Sequence, residues 1–236
     1  MVTILGSPST PGPEAALVES FLSTALPPPL ADECLSVFVE PQLESWRPDV
    51  VAVYWDWGVA QKWPEERRHL VRGDLRVAQL IHSSGPLAED VLKTYFPRGL
   101  RAHFRRLEQA GLIELDSEKR WQMRSLEEVF AVRRIVACEA KMSALSAALR
   151  QAHRNTWFAS ESYVVTRMHR VTGRILDRAE LQGIGLWLLD GTGDSQPLVE
   201  ARRYSLPQSH ASWALNELAW KTRIGVSGEH QHRLAE

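Results

Sequence analysis

Three consecutive residues carry the strongest chemical signal in this chain: Glu139-Ala140-Lys141, at the end of an apolar run. In a strand, side chains two positions apart face the same way, so Glu139 and Lys141 would project together. Far upstream, Pro48-Asp49 opens a second apolar run, and its aspartate would come from a neighbouring strand. Two carboxylates suit a hard divalent cation, and a lysine beside them steadies an attacking hydroxide or a phosphate oxygen. That set outlines a phosphodiester-cutting site. Alone, a Glu-x-Lys is common on solvated strands and a Pro-Asp is an ordinary turn. The weight lies in their order and surroundings.

The flanking sequence supplies elements to position them. Helical spacing predicts a helix over 14–26, stopped by Pro27-Pro28-Pro29, then a strand over 34–40, a turn through 44–47 and a buried strand over 49–55. A polar connection or short helix covers 61–72. Three short helices follow, over 75–82, 87–96 and 98–110, then a small hairpin of 112–115 and 120–123. A β-rich stretch over 129–138 leads into the triplet. After it come a helix over 143–158, a strand over 162–166, a helix over 175–182, a strand over 184–189 closed by a turn at 190–193, a partner strand over 198–204 and a last helix over 213–221. Residues 1–13 read as a flexible start and 225–236 as a polar tail, in which His230 and His232 have the spacing of metal ligands but the setting of a solvated end.

Bulk properties narrow the function classes. With 236 residues, 44% hydrophobic and 24% charged, the chain reads as soluble and globular. A net charge of -1 gives no overall sign of nucleic-acid binding, so any basic face must be local. Cys34 and Cys138 sit in apolar runs and read as buried thiols, which points to the reducing cytoplasm. No secretory pattern opens the chain and no apolar run reaches the length of a membrane span. The nine tryptophans are scattered and read as packing residues.

Three short helices and a hairpin form the pattern of a winged helix-turn-helix, and the run 107–113 (Leu-Glu-Gln-Ala-Gly-Leu-Ile) resembles the end of a recognition helix in bacterial regulators. On that helix and wing, Arg98, Arg101, Arg105, Arg106, Arg120 and Arg124 would contact DNA phosphates and base edges. The wider order is helix, strand, strand opening with Pro-Asp, strand ending in Glu-x-Lys, helix and a Tyr-Val-Val strand. It resembles the PD-(D/E)xK nuclease superfamily, whose restriction-endonuclease-like fold is an α/β mixed sheet flanked by helices. The resemblance implies a discontinuous nuclease-like domain, 1–72 and 126–236, with an inserted winged-helix module over 73–125. It makes Asp49 and Glu139 metal-binding carboxylates, with the Ala140 carbonyl as a further ligand, and Lys141 the partner of the attacking water. Gln151 matches a glutamine near the site in many members, and Glu19, ahead of Glu14, is the candidate for an acidic residue on the first helix. The implied cofactor is Mg2+, or Mn2+, the partner duplex DNA, and the assembly a homodimer. A second class of function fits the same residues: a DNA-binding regulator or adaptor on a catalytically dead nuclease-like scaffold. Action on RNA is a third.

Overall fold

The computed structural model describes residues 1–43, 47–168, 170–189 and 196–225. In chain order the elements begin with β1 (Val2–Leu5), α1 (Pro13–Thr24), β2 (Glu33–Val39), β3 (Val50–Asp56) and the single turn α2 (Trp57–Ala60). After a 3-10 turn at Glu65–His69 come α3 (Arg72–Ser84), α4 (Glu89–Tyr95), α5 (Leu100–Gln109), β4 (Ile113–Leu115), β5 (Trp121–Met123) and the short α6 (Leu126–Val129). The chain then forms β6 (Val132–Ala140), α7 (Leu145–Asn155), β7 (Glu161–Thr166), α8 (Gly173–Gln182), β8 (Gly185–Leu188), β9 (Gln196–Val199) and α9 (His210–Arg223). The fold is α/β, built on a mixed seven-stranded sheet with helices. The expected turn at 190–193, most of the turn at 44–47, and His230 and His232 lie outside the described residues.

Contacts divide the chain into two units, Met1–Tyr54 with Arg133–Gln208, and Trp55–Val132 with the stretch from Ser209 onward. The first holds the sheet, in the order β1-β2-β3-β6-β7-β8-β9. Strands β1 and β2 are parallel, as are β6, β7 and β8, while β9 is antiparallel to β8. Asp49 meets Ala140, and Asp56 N meets Ala131 O, so β3 and β6 run in opposite directions. The central strands are apolar on both faces because both are covered. On one side Leu17, Val18 and Phe21 of α1 pack with Val37, Ala52, Val136 and Cys138. On the other, Leu145, Ala148, Leu149 and Ala152 of α7 and Ala179 of α8 pack with Val164 and Leu186. Val136, Cys138 and Ala140 face α1, so strand alternation turns Glu139 toward the α7 side.

Two expectations for this unit are corrected. Residues 1–13 are not a featureless start: Val2–Leu5 pairs with β2, Val2 opposite Leu35 and Leu5 opposite Phe38. Strand β9 ends at Val199, and beyond it the chain continues outside the strand, with Arg202 N bonded to Gly183 O (3.0 Å) and Tyr204 N to Ser160 O (2.8 Å).

The second unit has its own core. Phe104 stacks on Trp121 with ring centroids 4.4 Å apart, and Phe130 meets Trp213 edge-on. Arg67 is buried, lies 3.5 Å over the Trp63 ring and grips Glu217 through two hydrogen bonds of 2.5 and 3.0 Å. Asn216 accepts from the backbone of Ala131 and Val132. Buried Asp74 on α3 binds Arg106 of α5 twice at 2.8 Å and meets His103 at 2.7 Å. A Cβ at Gly73 would lie 2.6 Å from the His103 ring, so glycine there lets α5 approach α3 closely. Since α9 supplies Glu217, Asn216 and Trp213, this unit is larger than the 73–125 module expected from sequence.

Candidate active site

At the first unit's sheet end, where β6 stops and β3 begins, Asp49 Oδ2 accepts a 2.7 Å hydrogen bond from Ala140 N. Residues 91 positions apart are thereby joined inside the Glu139-Ala140-Lys141 triplet. Glu139 is 3% exposed, and its Oε1 accepts from Asn155 Nδ2 at 2.9 Å. Lys141 Nζ reaches across to Glu14 on the first turn of α1, 2.8 Å away. Its own backbone N–H bonds to Val165 O, which continues the β6–β7 register. Three residues later Ala144 adopts φ 54, ψ 43 at the start of α7, a left-handed conformation that costs a non-glycine residue about 1 kcal/mol and turns the chain sharply away from the triplet.

The electrostatics are those of crowded negative charge. Burial drives the Glu139 carboxyl up to about 7; the Asn155 hydrogen bond and Lys141 pull against it, while Asp49 and Glu14 add to the rise. Burial also raises Asp49, against the pull of the Ala140 N–H and Lys141. Burial alone would lower Lys141, yet the Glu14 bond and the charges of Asp49 and Glu139 hold its ammonium above the usual lysine value. The cluster sets three carboxylates against one cation.

The structure thus brings Asp49, Glu139, Ala140 and Lys141 together. Ala140 takes part through its N–H. Gln151 is half-buried on α7, and its side chain makes no hydrogen bond among the described residues. Asn155, one helical turn further along the same face, is the residue that touches Glu139. Glu14, rather than Glu19, is the first-helix carboxylate at the site; Glu19 faces solvent. Asn155 escaped the sequence reading because a helical asparagine resembles a surface residue, although its i,i+4 relation to Gln151 was the available signal.

The arginines expected on DNA divide sharply. Arg106 is turned inward onto Asp74, which corrects its expected place on an open face. Arg120 is bound to Asp116 and Glu118, and Arg124 to Glu128, with Glu114 at 3.9 Å. Arg98 and Arg105 are exposed without an ion-pair partner among the described residues, and Arg101 is 89% exposed with only Glu89 at 3.9 Å. Arg101 and Arg105, four apart on α5, share one side of that helix, and Arg98 precedes its N-cap Gly99.

No group of three His, Cys, Asp or Glu side chains among the described residues is arranged to hold a metal ion. Two carboxylates nevertheless suit Mg2+, which keeps several waters and uses one or two protein carboxylates. Asp49 and Glu139 each spend one oxygen on a protein hydrogen bond, leaving Asp49 Oδ1 and Glu139 Oε2 without a protein donor among the described residues. Crowded, partly desolvated carboxylates are a donor set that a divalent cation relieves. Among the described residues no helix is long and apolar enough to cross a membrane. No family model, curated protein or solved structure matches this chain.

Proposed function

We propose that the chain is a Mg2+-dependent DNA endonuclease of the PD-(D/E)xK type, with a restriction-endonuclease-like core and a winged-helix module between β3 and β6. The observation that carries this reading is the Asp49–Ala140 hydrogen bond, which joins the aspartate to the middle residue of the Glu139-Ala140-Lys141 triplet. The order α1-β2-β3-β6-α7-β7 supports the fold assignment.

Asp49 and Glu139 would hold the ion through the oxygens their hydrogen bonds leave open. When bound, Mg2+ polarises the scissile phosphate and lowers the pKa of a coordinated water. Asn155 keeps the Glu139 carboxylate in one orientation. Lys141 orients the water and offsets negative charge as it grows on the phosphate, a contribution of about 3 kcal/mol for comparable groups. Glu14 steadies Lys141. Arg98, Arg101 and Arg105 supply affinity for duplex DNA through its phosphates.

The test is nicking of supercoiled plasmid with and without Mg2+. The expected loss for Glu139→Ala and for Lys141→Ala is about a thousandfold or more, with duplex binding retained. Wild-type rates from both purified variants would refute the assignment. The Lys141–Glu14 ion pair, which occupies the amine, favours a second reading in which the core is a non-catalytic scaffold for a DNA-binding adaptor. Duplex binding by wild type with no strand breaks at any Mg2+ concentration would establish that reading instead.

A further inference from the structure

Next to the triplet, the first turns of α7 and α8 and the segment after β7 enclose an open pocket of about 360 Å³. Arg150 and Arg170 line it with the hydroxyl residues Ser146 and Thr172 and the apolar Met168 and Ile175; among the described residues no acidic side chain lines it. Both arginines are exposed, and neither pairs with a carboxylate among the described residues. Arg150 Nη1 donates to Ser146 O at 3.1 Å, which lays its stem along α7. The stretch 142–180 contains six arginines against Glu161, Asp177 and Glu180, and Glu161 is already committed to Arg134. In a chain of net charge -1, this stretch is locally basic.

Its position ties it to the candidate active site. Lys141 N bonds to Val165 O, and Met168 N bonds to Thr166 Oγ1, so β6 and β7 deliver Lys141 and Met168 to the same end of the sheet. Only Met142 and Ser143 separate Lys141 from Ala144 on the pocket wall. In open α/β sheets, ligands settle outside the carboxyl ends of parallel strands.

We propose that this pocket is a backbone subsite for the nucleic-acid strand being cut. Arg150 and Arg170 take phosphate oxygens beside the scissile bond, the hydroxyls of Ser146 and Thr172 complete the polar contacts, and Met168 and Ile175 pack against a sugar. Paired guanidinium groups suit phosphate through their forked donors, and an apolar floor with no carboxylate suits a sugar-phosphate chain better than a cationic or peptide ligand. The subsite rests on the nuclease reading, since it explains how a phosphodiester reaches Asp49, Glu139 and Lys141.

The test measures binding separately from cleavage. Full-length wild type, R150E/R170E and R150K/R170K are titrated into fluorescein-labelled duplex with Ca2+ in place of Mg2+, at several salt concentrations. Loss of two phosphate contacts lowers the slope of log K against log salt by about 1.8 on duplex and weakens binding roughly tenfold to a hundredfold; the lysine variant keeps most of the slope. A wild-type slope and affinity in R150E/R170E, with wild type cleaving in Mg2+, overturns the subsite and leaves the nuclease reading intact. A reduced slope in a protein that never breaks DNA shows that the pocket holds phosphates but overturns both the nuclease reading and the pocket's place beside a scissile bond. Wild type that binds no nucleic acid overturns both.

Discussion

Glu139 and Asp74 are both carboxylates closed off from solvent, at 3% and 0% exposure, and their surroundings treat charge in opposite ways. Asp74 lies in the second unit. Burial alone would raise it, but bonds from His103 and Arg106 hold it below the usual aspartate range. Glu139 lies in the first unit with only a neutral amide as direct partner, and burial pushes its carboxyl up to about 7. Arg67 and Glu217 follow the Asp74 pattern, with cation and anion closed on each other. A completed ion pair fixes two elements in place. An acid left beside other acids, next to a strained backbone turn, is the mark of a candidate functional site.

The comparison breaks most visibly in the second unit. Arg67→Ala leaves Glu217 charged and buried without its partner, and should cost about 3–5 kcal/mol in urea unfolding monitored by tryptophan fluorescence. A loss below about 1 kcal/mol would show that the pair is not the fastener described here.

In the first unit the sign reverses. Because the folded Glu139 value lies above its unfolded value of about 4.5, the folded state holds the proton longer. Its contribution to stability is therefore fully present below about pH 4.5 and is lost as pH rises toward 7. Glu139→Gln should match wild type near pH 4 and exceed it by about 3 kcal/mol at pH 8 without Mg2+. Saturating Mg2+ should narrow that gap. Parallel stability curves for the two proteins from pH 4 to 8 would sink this account.

Asp74→Asn sharpens the contrast with the opposite slope. Asp74's folded value is lowered, so its contribution stands above about pH 4 and disappears as pH falls through the folded value. The variant should lose about 2 kcal/mol at pH 7 and converge with wild type in acid. A constant offset down to pH 2 would contradict that. The smallest effect belongs to Asn155→Ala. Freeing the Glu139 carboxylate should raise the Mg2+ concentration for half-maximal cleavage roughly tenfold to a hundredfold, with Asn155→Asp worse because it adds another charge. An unchanged Mg2+ titration would remove Asn155 from the site.

The residues at strand ends were legible in the sequence. Apolar runs over Val50–Asp56 and Val132–Ala140 announce buried strands, and the charged residues at their limits stand out against them. Side chains on helices were harder. Arg106 and His103 each precede a buried residue, Leu107 and Phe104, and so sit at the edge of the apolar face of α5; counted only as basic residues, they look like part of an open surface. Glu14 and Glu19 are both carboxylates on α1, and only the direction in which that helix meets β6 selects the first. Strand β1 is four residues long and pairs in parallel with residues more than thirty positions away, so nothing local marks it. The role of α9 was hidden for the same reason: Glu217 meets Arg67 across 150 positions.

The backbone changes unit after Tyr54, after Val132 and again after Gln208. Neither half can therefore be subcloned as one uninterrupted fragment. A stop codon placed just after Gln208 would spare every strand of the large sheet, yet strip Trp213, Asn216 and Glu217 from a body whose other residues were synthesised more than seventy codons earlier. On the ribosome, that body stays unfinished until the last helix emerges.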